Sequence, residues 1–185
     1  MEIYLIRHTT PQVEKGICYG QTDLALTATF PEELERLKKH LPADFDLCYT
    51  SPLQRCAQLA QELTAEPIAD DRLKEMDFGD WEMKPWASIP QEVLNPWMED
   101  FVRVPVPGGE SFGELIERVK AVWQEISTQE AERILVVTHG GVIRSVLGHV
   151  LELDPKHSFK MEIDYGGVSM VAGKGGFYKV KFINR

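Results

Sequence analysis

The chain has 185 residues, of which 43% are hydrophobic, 26% charged and 9% aromatic, and its formal net charge is −9. That length and composition fit one globular domain spanning residues 1–185 and exclude a disordered chain. No apolar run approaches the ~20 residues needed to cross a bilayer, and no basic surplus or stripe points to nucleic acid, so neither a membrane nor a nucleic acid is an expected partner.

The chain opens Met1-Glu2-Ile3-Tyr4-Leu5-Ile6-Arg7-His8, without the basic segment and small-residue cleavage site of a secretory leader, so residence in the cytoplasm is expected. The three cysteines (Cys18, Cys48, Cys56) form no CxxC pair, which fits reduced thiols and neither a disulfide framework nor a zinc site. Residues 3–6 are a short continuous apolar run, as in a buried parallel strand. A helix is predicted from Pro31, with Leu34, Leu37 and Leu41 on one face, and a second strand over 45–49. Ser51-Pro52-Leu53-Gln54 reads as a capping box with proline in the first helical position. Leu53, Cys56, Ala57, Ala60 and Leu63 follow at helical spacing.

The stretch 81–109 holds five prolines and three tryptophans and reads as an irregular insert with one short helix, suited to a lid or binding loop. Packing is the preferred reading for its tryptophans. A second capping box, Ser111-Phe112-Gly113-Glu114, opens an amphipathic helix through Ile126. Residues 134–137 are a strong buried strand, and a helix follows Gly140-Gly141. The end is a hairpin of 168–171 and 177–183 around a Gly-Lys-Gly-Gly turn. Strands alternating with helices predict a three-layer α/β/α fold with a mostly parallel central sheet.

Two histidines occupy matching positions, His8 just past the first strand and His139 just past the strand at 134–137. Ligands of open α/β sheets bind at the carboxyl ends of parallel strands. If these two strands are neighbours, both histidines reach that edge with Arg7 and Arg55, and the helix beginning at Gly140 offers its N-terminal N–H groups to an anion. Such a pocket suits phosphoryl transfer. A neutral imidazole attacks phosphorus, arginines hold the phosphoryl oxygens, and a carboxylic acid protonates the departing alkoxide. Candidate acids lie between Glu75 and Glu82. His40, His149 and His157 carry no motif and are read as surface or structural, and Arg144 as structural or at the rim.

Five segments together resemble the histidine phosphatase superfamily, which is phosphoglycerate-mutase-like in fold. They are Leu5-Ile6-Arg7-His8, Thr50-Ser51-Pro52-Leu53-Gln54-Arg55, Leu73-Lys74-Glu75-Met76-Asp77-Phe78-Gly79-Asp80-Trp81-Glu82, Pro107-Gly108-Gly109-Glu110-Ser111 and Val137-Thr138-His139-Gly140-Gly141. The resemblance covers nearly the whole chain. It implies His8 as phospho-acceptor, Arg7, Arg55 and His139 as phosphoryl-binding groups, and Glu75 as proton donor, with Glu82 the second candidate. It implies a small phosphate ester as partner, and no metal or cofactor.

Within the family, Arg7-His8-Thr9-Thr10-Pro11 and Gly16-Ile17-Cys18-Tyr19-Gly20-Gln21-Thr22-Asp23 look most like the α-ribazole phosphatases of cobalamin assembly, and the ending Val180-Lys181-Phe182-Ile183-Asn184 also fits. The resemblance therefore implies α-ribazole 5′-phosphate as substrate, with contacts from Thr9, Gly20, Gln21, Thr22 and Gly140. The alternatives are a sugar-phosphate or broad phosphatase, a mutase, and an inactive binder of phosphate esters. Two positions depart from the family pattern. Thr9 stands where glycine is usual, and Glu14 stands where many members carry a phosphate-contacting asparagine. A carboxylate at position 14 would repel phosphate, so Glu14 is expected to point elsewhere.

Overall fold

The computed structural model describes residues 1–185. Six strands form one sheet: β1 (Glu2–Arg7), β2 (Leu47–Thr50), β3 (Ile68–Ala69), β4 (Arg133–Thr138), β5 (Val168–Lys174) and β6 (Phe177–Phe182). Their order is β3-β2-β4-β1-β5-β6. The four strands from β3 to β1 run parallel, and the terminal hairpin adds β5 and β6 antiparallel to their neighbours. The two-residue β3 escapes the sequence pattern because so short an edge strand has no periodicity to read.

The helices are α1 (Phe30–Lys38), α2 (Gln54–Leu63), α3 (Gln91–Glu99), α4 (Phe112–Ile126) and α5 (Gly140–Val150). Alternation along the central strands sorts them into two layers. Ile3, Leu5, Ile134 and Val136 face α4 and α5. Tyr4, Ile6, Leu135 and Val137 face α1 and α2. Each central strand is therefore buried on both faces, which is why its sequence is a continuous apolar run. No helix is long and apolar enough to cross a membrane.

Local chemistry explains several boundaries. The capping box at Ser111 forms as expected: Ser111 Oγ accepts from the Glu114 N–H, and the Glu114 carboxylate accepts from the Ser111 N–H. The one expected at Ser51 does not form. Helix α2 starts two residues later than the proline signal suggests, at Gln54, whose N–H donates to the Asp23 carboxylate at 2.8 Å. A remote loop thus supplies the cap, and the Ser51 hydroxyl serves another partner. Leu41 lies past the end of α1 but still packs on the same core. In the terminal hairpin the strands extend to Lys174 and Phe177, leaving Gly175 and Gly176 as the turn. Both have positive φ (64° and 86°), which a two-residue hairpin of this hand requires.

The 81–109 insert is irregular apart from α3 and short 3-10 turns. Its tryptophans pack against one another: Trp81 and Trp97 have ring centroids 5.5 Å apart, and Trp86 lies 5.9 Å from Trp97. Trp81, Ile89, Trp97 and Val106 belong to the main core, so the insert is anchored by burial. Its 83–86 segment pairs with the 16–18 loop through backbone bonds from Cys18 to the Lys84 carbonyl and from Trp86 to the Gly16 carbonyl.

Candidate active site

Strands β1 and β4 are parallel neighbours in a register that pairs Arg7 with Thr138. His8 and His139 therefore leave the sheet side by side at its carboxyl edge. The His8 N–H donates to the Thr138 carbonyl at 2.9 Å, and the imidazole rings stand edge to face with centroids 5.1 Å apart. Both side chains are buried, His8 at 2% exposure and His139 at 0%.

The tautomer of His8 follows from its partners. Nδ1 lies 2.7 Å from the Thr9 carbonyl oxygen, which can only accept, so Nδ1 carries the proton. Nε2 is then the lone-pair nitrogen, and it accepts from Arg55 Nε at 3.3 Å. Burial, then the Arg55 and Arg7 charges, hold the His8 imidazole well below its ordinary value, so it is neutral at physiological pH. A neutral imidazole with its lone pair beside guanidinium groups is the form that nucleophilic attack on a phosphate ester requires.

Arg55 is fully buried at the start of α2. Its Nη1 donates to the Thr22 carbonyl at 2.9 Å and its Nη2 to the Gly20 carbonyl at 2.5 Å. Nη2 also lies 3.4 Å from His139 Nδ1. Arg7 is fixed from the other side. Its Nη1 donates to the Ile163 carbonyl at 2.7 Å, and its guanidinium lies 3.8 Å over the Tyr165 ring. Arg7 Nε and Thr9 Oγ1 are buried polar atoms with no partner inside the protein. Native interiors rarely leave such groups unpaired, and at a cationic pocket they are ready donors for a ligand's oxygens.

His139 caps α5, and its Nε2 lies 2.8 Å from Ser51 Oγ. The same hydroxyl accepts from the Leu53 N–H at 3.3 Å, so it ties His139 to the residue just before α2. Burial, then the charges of His8, Arg55, Arg7 and Arg118, keep the His139 imidazole well below its ordinary value. Cys56 lies against the same ring, its Sγ 3.5 Å from Nε2, and burial raises its thiol so that it stays protonated.

Two neutral buried histidines make stability depend on pH. The unfolded chain binds protons below its ordinary histidine value, near 6.5, that the folded pocket refuses. This stabilisation is present above about pH 6.5 and is lost as pH falls, with a limiting slope of about 2.7 kcal/mol per pH unit for two protons. Thermal melts from pH 7.5 to 5 should show that loss, and His8→Ala should show about half of it. An unchanged slope in the variant would contradict a neutral His8.

The two candidate acids separate by their surroundings. Glu82 accepts from the N–H groups of Gly20, Gln21, Thr22 and Phe78, and from the Thr22 hydroxyl. Those hydrogen bonds outweigh its desolvation and hold its carboxyl below the ordinary value, so Glu82 is an ionised clamp. The same bonds fix the Gly20–Thr22 loop, which the sequence resemblance puts against the substrate. Its N–H groups are taken by Glu82, and the Gln21 side chain donates to the Glu75 carbonyl. The Gly20 and Thr22 carbonyls in turn orient Arg55. A side chain at Gly20 is excluded, since a Cβ would stand 1.8 Å from the Met76 carbonyl oxygen.

Glu75 instead reaches the first turn of α5. Its Oε2 accepts from the Gly141 N–H at 3.1 Å and its Oε1 from the Met76 N–H at 2.9 Å. Arg118 secures the segment by donating to the carbonyls of Arg72, Lys74 and Glu75 while paired with Glu110 at 2.6 Å. Gly140, beside Arg7 and Arg144, leaves room for both guanidiniums: a Cβ there would lie 2.9 Å from Arg144 Nη1 and 3.5 Å from Arg7 Nε. Arg144 donates through Nε to the Met161 carbonyl at 3.1 Å. Glu14 is exposed and has no side-chain partner, as its charge demanded, and His40, His149 and His157 are exposed.

Gly141 is the tightest constraint on Glu75, because a Cβ there would stand 2.3 Å from Glu75 Oε1. A Gly141→Ala variant should therefore keep its fold, since the obstructing atom ends a flexible side chain and alanine favours helix. Its activity should fall about 10² fold, the scale of a displaced catalytic acid. Equal activity in the variant would show that the position of Glu75 is immaterial.

Sequence patterns leave Tyr165, Arg118 and the Ile163 carbonyl without a role and give Ser51 only a capping one. Each acts through a partner far away in the chain, so no local spacing marks it.

The model of the histidine phosphatase superfamily (branch 1) matches residues 3–185. A Hydrogenobacter thermophilus protein named as a candidate phosphoserine phosphatase 2 is 26% identical over 99% of this chain and 95% of its own. The adenosylcobalamin/alpha-ribazole phosphatase of Escherichia coli K12 is 28% identical over 100% of this chain and 96% of its own. The crystal structure of the alpha-ribazole phosphatase from Shigella flexneri superimposes with a TM-score of 0.92 at 27% identity, covering 100% of this chain and 96% of that one. With its paired histidines, guanidinium pocket and full-length likeness to named phosphatases, the chain belongs to the histidine phosphatase superfamily and is a phosphatase.

Proposed function

We propose that the protein hydrolyses a small phosphomonoester in two steps through a phosphohistidine. The observation that carries this is His8, whose Nε2 is unprotonated and faces Arg55 while Nδ1 is tied to the Thr9 carbonyl. In the first step a bond forms between His8 Nε2 and phosphorus. The bond from phosphorus to the ester oxygen breaks, and that oxygen takes a proton from Glu75. Arg7, Arg55 and His139 hold the phosphoryl oxygens as charge shifts among them, with the unpartnered Arg7 Nε and Thr9 Oγ1 among the donors. In the second step water attacks phosphorus, the nitrogen–phosphorus bond breaks, and the Glu75 carboxylate takes the water's proton. None of these steps requires a metal ion or a cofactor.

The substrate that the reading favours is α-ribazole 5′-phosphate, released as α-ribazole and phosphate for the cobalamin lower loop. The support is the full-length likeness to alpha-ribazole phosphatases and the Gly16–Asp23 segment beside the pocket. The likeness to the Hydrogenobacter protein favours phosphoserine as the second reading. The reading puts the reaction in the cytoplasm, and three unpaired, buried thiols support it.

A panel with a chelator present tests this. It holds α-ribazole 5′-phosphate, O-phosphoserine, 3-phosphoglycerate, sugar phosphates, mononucleotides and an aryl phosphate. A kcat/KM for α-ribazole 5′-phosphate far above the rest is the expected result. Preference for phosphoserine would move the substrate and keep the mechanism. Comparable turnover of many esters would remove the cobalamin assignment, transfer to a second hydroxyl would reveal a mutase, and no turnover would overturn the catalytic reading.

A further inference from the structure

His8 is only 2% exposed, and Arg55 and His139 are at 0%, so solvent scarcely touches the nitrogen that must meet a phosphate ester. What stands over the pocket is a pair of tyrosines from distant loops. Tyr165 lies with its ring centroid 5.5 Å from the His8 ring and its face 3.8 Å from the Arg7 guanidinium. Tyr19 lies with its ring 5.6 Å from the Arg55 guanidinium. Each ring therefore rests on one of the two phosphoryl-binding arginines. Between them the two hydroxyls meet at 2.5 Å, at the solvent surface, joining segments 146 residues apart.

We infer that Tyr19 and Tyr165 are the gate of the pocket, closed by the hydrogen bond between their hydroxyls and opened by breaking it. The inference rests on the reading of His8 as the group that meets the ester.

The loops suit that division of labour. The backbone after each tyrosine is held, by Glu82 and Arg55 after Tyr19 and by the Arg7 and His8 carbonyls, which accept from the Gly166 N–H, after Tyr165, so the moving part is a side chain and not a loop. The Tyr165 side carries an exposed ring next to Gly166, which has a φ of 70° that glycine adopts without strain. Swinging the Tyr165 side chain outward breaks the hydroxyl–hydroxyl hydrogen bond, lifts the ring off the Arg7 guanidinium and uncovers that guanidinium together with His8. The arginine stays tethered through Nη1 to the Ile163 carbonyl. A phosphoryl group entering there meets Arg7 first and His8 next. Tyr165 is thus a positioning residue that acts through Arg7 and through access to His8.

Access can be read without turnover. Diethyl pyrocarbonate ethoxycarbonylates neutral imidazole, and peptide mass spectrometry reads His8 separately from the exposed His40 and His157, which serve as internal rate standards. Tyr19→Phe and Tyr165→Phe each keep the ring and remove one hydroxyl. Relative to the standards, each variant should modify His8 about fivefold faster than the parent, the factor that one neutral hydrogen bond supplies. The double variant should be no faster than either single, because all three lack the same bond. An unchanged rate in the single variants, or a double variant whose gain is the product of the two, would overturn the gate. A protein that turned over no ester yet showed the fivefold, non-additive gain would lose the catalytic reading and keep the gate.

Discussion

Replacing His8 with alanine is expected to remove turnover by about 10⁴ fold or more, because the whole covalent route runs through its Nε2. The loss should not come from misfolding. The imidazole makes one backbone hydrogen bond through Nδ1 and one contact to Arg55, and the strand beneath it is held by both neighbours. Removing a ring that is buried neutral among guanidinium groups also removes a group that cannot take up a proton there. The check has two parts. Rapid acid-free denaturation of the parent during turnover of radiolabelled ester should trap one phosphoryl group per chain, labile in acid and stable in base as a phosphoramidate is. The variant should trap none while still binding inorganic phosphate through Arg7, Arg55 and His139. Label remaining in the variant would move the acceptor to another residue and sink the assignment of His8.

What could be read from sequence, and what could not, divides by the range of the interaction. The two histidines were legible because each follows a continuous apolar run, and runs of that kind place strands side by side in a parallel sheet. The structure makes those strands, β1 and β4, direct neighbours. The capping box at Ser111 was legible because both of its bonds lie within four residues. Ser51 shows the limit. It carries the same local signature, yet no reciprocal box forms: its hydroxyl is shared between the Leu53 N–H and His139, 88 residues away, and the Gln54 N–H that opens α2 goes to Asp23. Glu82 is the same lesson for charge. As a letter it was an alternative acid to Glu75. Only the fold brings three consecutive N–H groups of the Gly20–Thr22 loop onto its carboxylate and turns it into a clamp. The tyrosine pair over the pocket lies furthest beyond the reach of sequence patterns, since neither ring belongs to a periodic element.

These long-range bonds also show how an acidic chain holds a cationic pocket. Its acidic surplus is mostly exposed or paired outward, as in the Glu125–Arg72 pair at 2.6 Å. The carboxylate nearest the Gly20–Thr22 loop, Glu82, has its oxygens filled by N–H and O–H donors, which spread its charge away from the pocket. The buried guanidinium of Arg55 is held by carbonyls of that same loop, with no carboxylate among its partners, so its positive charge remains available to a phosphoryl group. A carboxylate paired directly with Arg55 would have neutralised the site.

Glu75 reaches the first turn of α5 at the same sheet edge, and Glu75→Gln is the sharpest test of the role proposed for it. The amide keeps the shape of the side chain, and its carbonyl oxygen can still accept from the Gly141 N–H as Oε2 does, while the bond that Oε1 takes from the Met76 N–H is lost for alkyl and aryl esters alike. What it cannot do is give up a proton to a departing alkoxide. The effect must therefore scale with the leaving group. For an alkyl ester such as α-ribazole 5′-phosphate, whose alkoxide is a poor leaving group, kcat should fall about 10² to 10⁴ fold, the range of general-acid catalysis. For an aryl phosphate with a strongly acidic phenol, the phosphorylation step needs little protonation. The variant should then form the phosphohistidine at nearly the parent rate and stall at hydrolysis, because the same residue is the base for water. A burst of phenol close to one per chain, followed by slow turnover, is the expected trace. Equal losses for alkyl and aryl esters with no burst would mean that Glu75 shapes the pocket without moving a proton, and the acid would have to be sought elsewhere at the edge of β4.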